Sequence, residues 1–100
     1  MILDGAGEIQ VDCADKAGGW TCTVHVGDDP EATTHHVSVT GADLERLAGA
    51  GVEARHLVVE SFAFLLEREP RESILREFDL PMIGRYFPEY EGEIRRRLGT

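Results

Sequence analysis

Lysine is almost missing from this chain. Lys16 stands alone beside nine arginines, and ten basic side chains face nineteen acidic ones, for a formal charge of −9 over 100 residues. The deficit is uneven. Residues 1–50 hold nine acids against Lys16 and Arg46, a net of −7, whereas residues 51–100 hold ten acids against eight arginines, a net of −2. A phosphate backbone is bound mostly through Lys and Arg side chains that displace counterions, and the N-terminal half has few of them, so the composition disfavours a nucleic-acid partner. The surplus of Arg over Lys also fits a GC-rich genome, in which an acidic surface needs no partner to explain it.

Long apolar runs are lacking too. Leu57-Val58-Val59 and the stretch from Phe62 to Leu66 are separated by Glu60 and Ser61, which leaves them too short and too polar to span a bilayer. The opening Met1-Ile2-Leu3-Asp4-Gly5 has neither the basic start nor the apolar core of an export signal, so a cytoplasmic location is expected. Only two cysteines occur, Cys13 and Cys22, and without further ligands nearby they make no zinc site. There is no glycine-rich phosphate loop ending in Lys-Ser or Lys-Thr, no histidine pair four apart with a glutamate between, and no nucleophile elbow. No catalytic residue and no cofactor is therefore expected, and Ser61, inside an apolar stretch, reads as a small core residue.

What is present describes one α+β domain over residues 1–100, with a sheet in 7–40 and a helical part in 41–99. With 42% hydrophobic residues, a chain of this size builds one core and hides roughly 60–65% of its unfolded surface. From Glu8 to Asp15 apolar Ile9, Val11 and Cys13 alternate with polar neighbours; Trp20, Cys22, Val24 and Val26 do so next, then Val37 and Val39. This period of two predicts a three-stranded antiparallel sheet. Keeping the apolar residues on one face favours pairs whose numbers sum to 35 in the first hairpin, with Cys13 opposite Cys22. In the second hairpin a sum of 61 sets Val24 against Val37 and His25 against His36.

Thr40 or Asp43 can cap a short helix through Leu44 and Leu47, which stops in Ala48-Gly49-Ala50-Gly51. The main helix is expected over Val52–Glu69, with Leu57, Val58, Phe62, Phe64, Leu65 and Leu66 forming a wide apolar face. Several short helices should follow, one opening at Pro70 and carrying Ile74, Leu75 and Phe78, and others at Pro81 and Pro88. The last has Glu89, Glu91 and Glu93 early and Arg95, Arg96 and Arg97 late, which suits the helix dipole.

Candidate chemistry is sparse. Cys13 and Cys22 are expected as free, buried thiols in a reducing compartment, a reactive pair being the alternative. His25 and His36, side by side on the outer face in the favoured register, are weak metal candidates, two imidazoles that would need further ligands from another chain. The main helix is broader in apolar surface than one small sheet needs, so Val59, Phe64, Tyr86 and Tyr90 are candidates for a protein interface, and a homodimer is expected.

Two resemblances bear on function. Val37-Ser38-Val39-Thr40, Leu44 to Leu47, a glycine-marked turn and Val52 to Leu66 resemble the strand-helix-helix order of ribbon-helix-helix repressors and antitoxins. That resemblance implies a DNA-binding dimer with His36, Ser38 and Thr40 as the outward, base-reading positions. The strand carries no Arg or Lys, and a hairpin precedes it. Phe64-Leu65-Leu66-Glu67-Arg68-Glu69-Pro70, Ser73-Ile74-Leu75, Phe78-Asp79-Leu80 and Tyr86-Phe87-Pro88-Glu89-Tyr90 resemble the C-terminal half of small uncharacterised prokaryotic proteins, which implies no activity. The reading from residues is a non-catalytic protein-interaction module or small subunit. The alternatives are a ribbon-helix-helix-like regulator and a small metal- or thiol-dependent enzyme.

Overall fold

A computed structural model describes residues 9–99. The opening residues and the expected start of the first strand at residues 7 and 8 lie outside it. The chain is α+β, with a four-stranded mixed sheet on one side and helices on the other. Strands β1 (Ile9–Lys16), β2 (Gly19–Val26) and β3 (Thr33–Thr40) follow one another antiparallel. Helices α1 (Gly41–Ala48) and α2 (Ala54–Leu66) then carry the chain back, so that β4 (Glu77–Asp79) pairs parallel with β3. The short helix α3 (Ile83–Tyr86) and the longer α4 (Tyr90–Leu98) complete the fold.

The first hairpin has the expected register, with Ile9 opposite Val26 and Cys13 opposite Cys22. The second is displaced by two residues: Val24 faces His35, His25 faces Thr34 and Thr23 faces His36. A slip of two keeps every side chain on its face, so the inner row survives while the expected His25–His36 pairing does not. The six-residue connection 27–32 sets the offset. Gly27 turns at φ 92°, and the Ala32 amide closes the loop on the Asp29 carbonyl at 3.0 Å.

Thr40 and Asp43 cap α1 together. The Thr40 hydroxyl accepts from the Asp43 amide at 3.0 Å, and the Asp43 carboxylate accepts from the Thr40 amide at 3.1 Å. The main helix is shorter than expected. Gly51, at φ 88°, holds its start back to Ala54, and the turn amides of Arg68 and Glu69 close on the Leu65 carbonyl beyond its end.

Apolar nearly all round, α2 is the central element. One side packs on β1 and β2 and the other on α4. Phe64 points to this second side, where it meets Phe87 at 5.9 Å and Tyr90 at 5.3 Å between ring centroids, under the Arg68 guanidinium at 3.7 Å. Its own chain leaves it 0% exposed, so Phe64 is a core residue and not the expected interface residue. The helix α4 and Phe87 before it cover the apolar side of α2 that the sheet leaves open.

The helix expected at Pro70 is a single 3-10 turn, Arg71–Ser73, followed by the extended run that becomes β4. Phe78 has alternation in its favour, since it faces the core at 8% exposure between exposed Glu77 and Asp79. A helix would have taken Ile74 and Phe78 on one face. The strand instead adds a fourth member to the row Cys13, Cys22, Val37, Phe78.

Candidate docking groove

The segment from Pro70 to Phe87 wraps the end of the core with little regular structure, and fixed bonds hold it. Arg71 reaches back to the β2–β3 loop, donating to both Asp29 carboxylate oxygens at 3.0 and 3.1 Å, and its hydrogen bond holds the Asp29 carboxyl below its ordinary value. A side chain at Gly27 would collide with that guanidinium. Ile74 is then buried, and the Leu75 carbonyl accepts from His35 Nδ1–H at 2.8 Å. The next carbonyl, of Arg76, accepts from the His36 amide at 2.7 Å.

His35 is the buried polar pin of this joint. Because Leu75 can only accept, Nδ1 carries the proton, and Nε2 accepts from the Thr33 hydroxyl at 2.9 Å. The ring is 0% exposed and lies 5.3 Å from that of Phe62. Burial lowers its pKa below 6.5, so the neutral form is the native one.

A recess of about 270 Å3 opens where this wall meets α2 and α3. Leu65, Ile74, Phe78, Met82, Ile83 and Phe87 line its floor, and Glu69 and Ser73 are its polar members. On the rim stand Leu75, 49% exposed, and Tyr86, 66% exposed, the two large apolar side chains most open to solvent among the described residues. Tyr86 was legible as a candidate. Leu75 was not, because a helix there would have turned it inward with Ile74 and Phe78.

The other candidates are placed apart from this groove. Tyr90 is 0% exposed, correcting its assignment to an interface; its hydroxyl donates to Ser61 Oγ at 2.7 Å, and Ser61 in turn donates to the Leu57 carbonyl at 2.8 Å. Burial pushes the Tyr90 phenol above its ordinary value. Val59 is partly buried against the core. His25 bonds the Thr34 hydroxyl at 3.1 Å and His36 the Thr23 hydroxyl at 3.5 Å on the open face of the sheet. No group of three metal-ligating side chains occurs among the described residues.

Ser38 and Thr40 border a second, polar cleft of about 390 Å3, together with Lys16, Asp43, Asp79 and Arg85. The strand that carries them is interior, paired with β2 on one edge and, over His36–Ser38, with β4 on the other. A second chain could pair there only by displacing β4.

Cys13 and Cys22 are joined as a disulfide, and no free cysteine remains, which overturns the expected free thiols. The register that made them neighbours also made the bond possible. Because structural disulfides are rare in the cytosol, the cysteines no longer speak for a reducing compartment. No helix among the described residues is long and apolar enough to cross a membrane.

The chain matches no protein-family model, no curated protein and no solved structure. Its geometry is therefore the ground for a functional reading.

Proposed function

We propose that this protein is a non-catalytic interaction module that docks on protein through the groove between Leu75 and Tyr86. One observation carries the reading: the two most exposed large apolar side chains stand on the same apolar recess, while the open face of the sheet is polar. Leaving such side chains in water is unfavourable, and their convergence on a concave floor is typical of a surface that buries a partner's side chain.

The test is a photoreactive phenylalanine derivative placed at position 86 in the source organism, with position 23 on the polar sheet face as control. Irradiation should yield a discrete protein adduct from position 86 and none from position 23. Equal adducts from both positions, or none from position 86, would remove the reading.

A further inference from the structure

We propose that the polar cleft at the end of the sheet, a site separate from the docking groove, binds a small amino acid of the dicarboxylic kind, with Lys16 and Arg85 taking its two carboxylates and Asp79 its ammonium.

The cleft follows from how the strands end. Lys16, Gly19 and Thr40 stand in one row across β1, β2 and β3, and Ser38 pairs with Asp79 in the row that ends on β4. Alternation sets Lys16, Ser38, Thr40 and Asp79 on the open face of the sheet. Gly19, in the middle of the first row, has no side chain and has room for none: a Cβ there would lie 2.1 Å from the Val39 carbonyl oxygen. Bare backbone therefore separates Lys16 from Thr40, on strands roughly 10 Å apart. On the far side β4 stops at Asp79, and Pro81 turns the chain away toward Arg85 in α3. The result is a cleft of about 390 Å3, within the range of small-molecule sites, with the Ser38 and Thr40 hydroxyls between a Lys16 wall and an Asp79–Arg85 wall.

Charge decides the ligand. Arg46, Arg68, Arg71, Arg95, Arg96 and Arg97 all sit in ion pairs. Lys16, Arg85 and Asp79 line one cleft, yet none of them makes an ion pair among the described residues. Other cations outside ion pairs lie elsewhere: Arg55 donates to the Val11 carbonyl at 3.1 Å, and Arg76 borders neither cavity. Asp43, the second carboxylate of the cleft, is already engaged by the Thr40 amide at 3.1 Å and by Arg46 at 3.7 Å. Two cations and one anion thus remain unspent, held in the same space by separate elements. A plain dianion would satisfy the cations and be repelled by Asp79. A diamine would meet the reverse. A molecule with two carboxylates and one ammonium complements all three, and the Ser38 and Thr40 hydroxyls can donate to either carboxylate.

Amide shifts of the 15N-labelled full chain, titrated at constant ionic strength, test this with L-glutamate and with glutarate, which has both carboxylates and lacks the ammonium. L-Glutamate should move the Gly18, Ser38 and Thr40 amides saturably, with a Kd below about 10 mM, and should bind more tightly than glutarate. Lys16→Gln and Arg85→Gln should each weaken it by about fivefold. Arg76→Gln, the same loss of charge outside the cleft, should leave it unchanged. Asp79→Asn should abolish the preference for glutamate over glutarate, because the carboxylate that attracts the one and repels the other is gone. Lys16, Asp79 and Arg85 are exposed, so the variants should keep the circular dichroism and urea unfolding curve of the unmodified protein. No saturable shift with L-glutamate up to that concentration, glutarate bound as tightly as glutamate, a loss with Arg76→Gln equal to that with Arg85→Gln, or a preference that survives Asp79→Asn would overturn the inference.

Discussion

His35 shows how one buried side chain can govern a joint. Its neutral ring donates to the Leu75 carbonyl and accepts from Thr33, and burial is what holds its proton affinity down. In the unfolded chain the same histidine takes a proton near pH 6.5. Above that value both states are neutral and the histidine costs nothing; as pH falls through 6.5 the unfolded state gains a proton that the native state refuses, so stability declines toward the lower native value. Asp29, held low first by Arg71, Glu89, by its own backbone amide and Arg68, and Glu93, by Arg97, have depressed native values. Their contributions are lost only below the ordinary carboxylate range, outside this window. The unfolding free energy obtained from urea titration should therefore fall between about pH 7.5 and 5.5, by at most about 1.4 kcal/mol per pH unit for one group. His35→Leu should be less stable at the higher pH but with a flatter profile. Parallel profiles for the two proteins would show that His35 does not titrate between the states.

Among the elements, the first hairpin is where the cross-link acts. The disulfide spans residues nine apart in sequence, a loop short enough that removing it should cost about 2–3 kcal/mol by chain entropy. Thiol titration of the denatured, unreduced protein should count no free sulfhydryl, and a Cys13→Ala, Cys22→Ala double variant should lose stability on that scale. Two titratable thiols per chain would contradict the bond. The strands and the inward set Ile9, Val11, Cys22, Val24, Val37 and Val39 were legible, because alternation fixes a face whatever the offset. Offset itself was not: the two-residue displacement of β3 depends on the Gly27 turn and the Arg71–Asp29 tether, a contact between residues 42 apart. His35 followed the parity of Val37 and Val39, and that signal could have marked it as buried. The groove stayed hidden for a related reason. Apolar Ile74, Leu75 and Phe78 suit a helix or a strand equally, and only the vacant edge of β3 and the bonds to His35 and His36 decide for the strand. Phe64 was misplaced because one cannot read from a single apolar helix how many layers will cover it.

At the scale of the whole molecule, the −9 charge faces outward. The open side of the sheet carries Asp12, Glu77 and Asp79, and at the cleft that Ser38 borders Lys16 and Arg85 are met by Asp43 and Asp79. A gel-shift titration with duplex DNA at physiological salt should give no retardation. Specific binding in the submicromolar range would reverse this and make His36, Ser38 and Thr40 the residues to mutate.

The parallel pairing of β3 with β4 also has a temporal meaning. The two hairpins join neighbours in sequence, and their loops close at small entropic cost, whereas β4 reaches β3 only after the whole of residues 41–76 has been laid down. Three residues long and at the margin of the sheet, β4 has the fewest bonds with which to hold its place. Loop closure thus favours the hairpins as the early structure and the Leu75 wall as the last part to be laid on. Until it is, there is no recess for Tyr86 to border, and so the proposed docking surface would be a certificate of completed folding, offered by finished chains and withheld by unfinished ones.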